Sequence, residues 1–237
     1  MIVLGIDTST QVNTVALLQD GQLLCETVLN TRKNHSQRLM PMIDMLLKEA
    51  ELTIDKIDGV AVSSGPGSFT GLRIGMTTGK TLAWSLNKPL VGISGLDGVA
   101  FNAWGAAGVI CPIFNAKRNQ VYTALYKMNK GELERISDYM AIEPVKLLEH
   151  LPNYEQVTLL GDGIEPFISI FSIALEDRLV IPPSANRLPR ASHIAYLGWK
   201  RLLKGEADDA MSLSPFYIRK VDAEVKLELK ELELKGL

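Results

Sequence analysis

Asp7-Thr8-Ser9-Thr10 sets a carboxylate and three hydroxyls at the end of an apolar run, Ile2 to Ile6. A hairpin of this composition can hold phosphate through backbone N–H groups and small hydroxyls, with the aspartate organising a metal ion or its waters. The same residue types also close strand-end turns by bonding their own backbone, so a purely structural role stands beside the catalytic one. A second cluster, Ser63-Ser64-Gly65-Pro66-Gly67-Ser68-Phe69-Thr70-Gly71-Leu72-Arg73, follows a strand and opens a helix. Free N–H groups and the helix dipole attract an anion in that setting, with Thr70 as the expected N-cap and Arg73 in the first turn. A third, Gly161-Asp162-Gly163, follows the strand Val157 to Leu160. Taken together, Asp7, the Gly65 to Gly71 loop and Gly161 to Gly163 would surround ATP in a phosphotransferase.

Other chemistries fail on spacing. A P-loop needs four residues between its glycine and Gly-Lys-Ser/Thr, whereas only three separate Gly75 from Gly79-Lys80-Thr81, inside a helix. A dinucleotide fingerprint fails because Gly71 comes one residue too late after Gly65 and Gly67. His35, His150 and His193 form no metal-binding pair, and neither Cys25 nor Cys111 sits at ligand spacing from a histidine, so no metal site is expected. His35 beside Ser36 reads as a helix N-terminus rather than a base and nucleophile. Ser64 lacks the Gly-x-Ser-x-Gly context of a hydrolase.

The elements that must position these residues follow from periodicity. Val12 to Leu18 and Leu23 to Val28 flank Asp20-Gly21, a hairpin signal, so the chain opens with three antiparallel strands. A helix with Leu39, Ile43, Leu46, Leu47 and Ala50 on one stripe follows, then strand Gly59 to Val62, helix Gly71 to Leu86 and strand Leu90 to Ile93. This is the order of a ribonuclease H-like mixed sheet, the unit duplicated in actin-like ATPases. The second half reads as a shortened copy. Val109 to Phe114, Val121 to Met128 and Leu133 to Ile142 are expected strands, Pro144 to His150 and Ile164 to Ile173 helices. A last helix, Ser192 to Leu203, is free to pack on either lobe.

Gly71, Gly75, Gly79 and Ala83 recur every four residues and share one line of their helix, where each interior glycine costs about 1 kcal/mol relative to alanine. Close approach of another backbone offsets that cost, whether from the chain's own sheet, its preceding helix or a second protein. Only Arg73 and Lys80 are ionised between Gly71 and Leu86, and Met40, Met42 and Met45 spread apolar side chains around the preceding helix. Two adjacent helices that are apolar over more than one face point to a protein interface.

Composition narrows the class further. The 237 residues are 46% hydrophobic and carry 25 basic against 27 acidic side chains, a net charge of -2. That is a globular protein with room for two lobes, without the basic excess of a stand-alone nucleic-acid binder. Two cysteines are too few for a disulfide framework, and MIVLGIDTST reads as a strand, not a targeting peptide, so a cytoplasmic setting is expected. The uncharged stretch Gly98 to Ala116 is broken by Asn102, Pro112, Asn115 and glycines, and reads as a buried helix running into a buried strand, not a membrane span.

GIDTST, NHSQRLMPMIDMLL and the long run IDGVAVSSGPGSFTGLRIGMTTGKTLAWSLNKPLVGISGLDGVA resemble the TsaB (YeaZ) family of bacterial tRNA threonylcarbamoyladenosine biosynthesis proteins. NAKRNQVYTALY and SPFYIRK extend the likeness over nearly the whole chain. The resemblance implies an α/β, two-lobed actin-like ATPase (ASKHA) fold with a shortened second lobe: 1–104 as the first lobe, 105–220 as the second and 221–237 as a tail. It also implies a non-catalytic paralogue of TsaD. Two metal-binding histidines of that paralogue fall at Gly95 and Val99, neither of which ligates a metal. Gly161 and Gly163 look like the remnant of an adenosine motif; with Asp7, Thr8, Ser9, Gly65 and Gly67 they would form a vestigial nucleotide or anion site, and no cofactor is expected.

The family's implied partners are TsaD, as a heterodimer, and TsaE, with tRNA reached only through the complex, no membrane, and a homodimer in isolation. The implied reaction is threonylcarbamoyl transfer to N6 of adenosine 37 in tRNAs reading codons that begin with adenine. The expected partner face is Leu39, Met42, Ile43 and Leu46 on one helix and Gly71, Arg73, Ile74, Gly75, Thr78, Gly79 and Leu82 on the next.

Overall fold

The computed structural model describes residues 1–31 and 34–219; the expected tail 221–237, with its KLELKELELK run, lies outside them. Strands β1 (Ile2–Asp7), β2 (Val12–Gln19) and β3 (Gln22–Asn30) form the antiparallel meander. The turn from β2 to β3 is set by Asp20 and Gly21, both at positive φ as a two-residue hairpin loop requires. Helix α1 (His35–Glu49) leads to β4 (Gly59–Gly65), α2 (Phe69–Leu86) and β5 (Leu90–Ser94), giving the sheet order β3-β2-β1-β4-β5 with β4 and β5 parallel to β1.

Alternation along the strands decides what covers each face. Leu4, Ile6, Val15, Leu17, Val60 and Val62 point to α1 and α2, where Leu39, Ile43, Leu46 and Met76 complete the core. Val3, Ala16, Ala61 and Val91 point the other way, to α6 (Ala191–Leu203). The helix that sequence left free for either lobe therefore closes the second face of the first sheet. Its N-terminus is held by Glu26 of β3, whose buried carboxylate pairs with Arg190 at 2.6 Å and accepts from the Ser192 N–H and hydroxyl, each at 3.0 Å.

The second lobe holds β6 (Val109–Asn115), β7 (Val121–Thr123), β8 (Tyr126–Asn129), β9 (Glu132–Arg135), β10 (Met140–Ile142), α4 (Pro144–Leu147), β11 (Val157–Leu160), α5 (Ile164–Leu175) and β12 (Leu179–Val180). Here two expectations are corrected. Val121 to Met128 is two strands, not one, because the chain breaks at Ala124-Leu125: β7 pairs with β6 and β10, β8 with β6 and β9. Leu133 to Ile142 is likewise split into β9 and β10, and the break is fixed by the Ser137 hydroxyl, which accepts from the Leu125 N–H at 2.8 Å.

Helix α3 (Gly95–Ala100) wedges between the lobes. Leu96, Val99 and Ala100 share a core with Ile110, Phe114, Tyr126 and Leu160, and Asp97 accepts hydrogen bonds from Tyr126 (2.6 Å) and Tyr139 (2.8 Å) of the second lobe. After α6 the chain returns as a strap along the first lobe. Lys80 donates to the Met211 and Leu213 carbonyls, the Phe216 N–H donates to Ser64 O at 2.7 Å, and Arg219 reaches Gln120 of the second lobe at 3.2 Å.

Candidate functional site

The hairpin after β1 and the loop after β4 do come together, but they are fastened to each other. The Ser68 N–H donates to Ser9 O at 2.6 Å, and the Thr8 hydroxyl donates to Gly71 O at 2.7 Å. The Ser9 N–H is taken by the Asp7 carboxylate at 2.8 Å, and the Val12 N–H by the Thr10 hydroxyl at 3.1 Å. Ser68, not Thr70, caps α2, its side chain accepting from Gly71 N, so the expected Thr70 cap is corrected by two residues. Gly67 has no side chain because Ser9 Cβ would lie 2.9 Å from it and Ser9 O closer still.

Asp7 is 1% exposed. Burial pushes its carboxyl above the usual range, against the bond from Ser9. It stands behind the hairpin beside Ser9 and Ser63, whose buried hydroxyl oxygens have no hydrogen-bond partner among the described residues, and it does not line the cleft between the lobes. That cleft, about 550 Å³, is bordered by Ser9, Thr10, His35, Ser68, Thr70, Lys117, Asp162 and Tyr217 among others. Gly161 and Gly163 lie under its far wall with their N–H groups spent on Arg187 O and Ile113 O, both at 3.0 Å. The N–H groups of Ser9, Val12, Ser68, Gly161 and Gly163, which could otherwise grip phosphate or adenosine, are thus bonded inside the protein.

A Cβ on Gly95 would stand 2.9 Å from Ser63 Oγ and 3.0 Å from Ser9 Oγ. Val99 is fully buried in the core shared by the lobes. Among the described residues no three of His, Cys, Asp and Glu are placed to hold a metal ion.

The helix pair needs a larger correction. Gly71 and Gly75 face β1: an added Cβ would overlap Thr8 O at Gly71 and Thr8 Oγ1 at Gly75, while at Gly79 it would touch Val62 Cβ at 3.4 Å. The glycine line is the contact between α2 and its own sheet. Leu39, Met42, Ile43, Leu46 and Leu82 are buried in the same core, so these residues and the three glycines have no surface to offer a partner. Of the expected face, Arg73 is exposed and Ile74 and Thr78 are half-buried. They border a groove of about 480 Å³ between α1 and α2 with Ser36, Met40, Phe69, Thr70 and Thr77, and Met40, Met45 and Trp84 are 47%, 44% and 73% exposed. Arg73 lies over the Phe69 ring at 3.9 Å and its Nε donates to Tyr217 Oη at 3.3 Å. This aromatic corner joins groove to cleft; in sequence Phe69 and Tyr217 stand inside the motifs GPGSFTGLRIG and SPFYIRK, but nothing there marks them as a pair.

Two lobes of this kind, hinged on a wedge helix, define an actin-like ATPase fold. The Acidaminococcus fermentans (R)-2-hydroxyglutaryl-CoA dehydratase component A shares that fold at a TM-score of 0.53, with 10% identity over 86% of this chain and 99% of that one. YeaZ from Pseudomonas aeruginosa superposes with a TM-score of 0.79 at 27% identity, over 92% of this chain and 99% of that one. A family model described as TsaD, tRNA N6-adenosine threonylcarbamoyltransferase, matches residues 22–227. The tRNA threonylcarbamoyladenosine biosynthesis protein TsaB of Bacillus subtilis is 37% identical over 95% of this chain and 97% of its own length. That of Escherichia coli is 30% identical over 98% and 100%. The chain belongs to the TsaB family of tRNA threonylcarbamoyladenosine biosynthesis proteins. No described helix is long and apolar enough to cross a membrane.

Proposed function

We propose that this chain is a non-catalytic subunit of a cytoplasmic threonylcarbamoyl-transferring complex. It docks on TsaD through the outer faces of α1 and α2, TsaE joins the pair, and TsaD supplies the metal and the chemistry at N6 of adenosine 37. The tRNA is met through the complex, and in isolation the same helix face pairs two copies. The observation that carries the reading is the hairpin Asp7 to Thr10, whose carboxylate is buried and bonded to the Ser9 N–H, and whose Thr8 hydroxyl is bonded to Gly71 O in the first turn of α2. Reconstitution tests it: with threonylcarbamoyl-adenylate supplied as the donor, TsaD and TsaE should form threonylcarbamoyladenosine on tRNA only when this chain is added, and Asp7→Asn should support the same rate. Activity lost with Asp7→Asn in a folded, TsaD-binding variant would refute the non-catalytic assignment.

The open cleft beside Lys117 favours a second reading, an ATP-binding phosphotransferase that uses the remnant site of Asp7, Thr8, Ser9, Gly65, Gly67, Gly161 and Gly163. Calorimetric titration of the isolated chain with Mg-ATP separates the two. The scaffold reading expects weak or no binding and no turnover.

A further inference from the structure

The α1–α2 face is not only apolar; its cleft end carries the cations Arg38 and Arg73, which no acid among the described residues pairs. No acidic residue occurs between Glu26 and Asp44 or between Asp58 and Asp97, stretches that include α1's first turns and the whole of α2 and carry Arg32, Lys33, Arg38, Arg73, Lys80 and Lys88. Lys80 is anchored to strap carbonyls and Lys88 lies 3.9 Å from Asp58. Arg38 and Arg73 form no ion pair with the described residues. Both helices also point their N-termini here, and neither has an acid in its first turn.

Arg73 is held ready. Its guanidinium is stacked on Phe69 and its Nε is bonded to Tyr217, which leaves the two terminal amino groups, the fork that grips a carboxylate, without partners among the described residues. The rest of the groove is apolar or hydroxyl-lined: Met40, Ile74, Thr77 and Thr78. Of the exposed acids of α1, Asp44 already bonds Lys48 at 2.7 Å and Glu49 lies at the helix's opposite end, away from Arg38.

We propose that the groove between α1 and α2 takes a helix of a protein partner that carries an acidic side chain to Arg73 beside an apolar ridge, and that this charge makes the partner preferred over a second copy of the chain. This rests on the reading of α1 and α2 as the TsaD-binding face. Apolar burial on that face serves either partner, but the cation at its end is satisfied by an acid and repelled by its own copy, so charge sets the choice.

The test measures TsaD binding and self-association of the full chain, by calorimetry and sedimentation, for the wild type, Arg73→Gln, Arg73→Glu and Ile74→Asp at low and high salt. Arg73→Glu should weaken TsaD binding at least tenfold more than Arg73→Gln, which controls for lost packing on Phe69, and should leave self-association equal or stronger. Wild-type binding should weaken with salt more than that of Arg73→Gln. If Ile74→Asp abolishes TsaD binding while both Arg73 variants bind like the wild type, the face stands and the acid-bearing partner is overturned. Equal loss of TsaD binding and self-association in Arg73→Glu overturns the preference. Loss of tRNA binding with TsaD affinity intact overturns it in favour of a phosphate backbone. If Ile74→Asp binds TsaD normally, the underlying docking reading fails.

Discussion

The glycine line of α2 offers a graded test, because the three sites differ in what a methyl group would meet. At Gly79 the nearest atom is Val62 Cβ at 3.4 Å, an ordinary contact. Gly79→Ala should therefore keep most of the helix-propensity gain, about 0.5–1 kcal/mol. At Gly75 the obstacle is Thr8 Oγ1, which can rotate away but then gives up its bond to Gly71 O. Losing that bond and crowding the site cost about 2–4 kcal/mol before propensity returns about 1, a net loss of about 1–3. At Gly71 the obstacle is the Thr8 carbonyl oxygen, which moves only with β1 and the hairpin. The site is in the first turn, where propensity returns little, so the loss should reach about 3 kcal/mol or more. For a chain of this size each kcal/mol moves the melting temperature by about 2–4 °C. Thermal denaturation by circular dichroism should place Gly79→Ala about 1–4 °C above the wild type, Gly75→Ala about 2–12 °C below it and Gly71→Ala lowest of the three. A Gly71→Ala protein that melts at or above the wild type would refute the internal packing of this line.

Further outcomes follow from other buried groups. Because burial raises the Asp7 pKa, its folded state is favoured with the carboxyl protonated, and that contribution is lost as pH rises through the folded value. Asp7→Asn should thus melt higher than the wild type near neutral pH, with the difference shrinking as pH falls toward the unfolded carboxylate range; an unchanged difference across pH would contradict the buried ionisable group. Glu26→Ala removes a carboxylate that serves Arg190 and the start of α6, and with Arg190 partly solvated it should cost about 2–3 kcal/mol in denaturant unfolding. Tyr126→Phe deletes one of the bonds to Asp97 between the lobes and should cost about 1–2 kcal/mol, measured the same way.

The first lobe was legible because its signals are local. Asp20-Gly21 sets a hairpin, and the apolar runs follow one another in the order of a mixed sheet. The second lobe was less so, since β7, β8 and β9 are three or four residues long and the break at Ala124-Leu125 falls in a buried apolar run. What ends it is Ser137, twelve residues on, invisible to a reading by periodicity. The four-residue glycine repeat correctly announced a close approach, but a repeat does not say which backbone approaches. Apolar residues were assigned to a partner that in fact fill the chain's own core, because hydrophobicity alone does not separate an inner face from an outer one. The corner of Phe69, Arg73 and Tyr217 needed a contact spanning 144 residues.

Helix α6 also dictates an order of events. It closes one face of the first sheet, covering Val3, Ala16, Ala61 and Val91, yet it is encoded after nearly all of the second lobe. While the ribosome has released only the earlier residues, that face of the sheet is bare, and Glu26 waits in an emerging strand for Arg190 and Ser192. The first lobe to be synthesised is therefore the second to be completed, and a nascent chain stopped before residue 191 exposes apolar sheet surface of the kind chaperones bind.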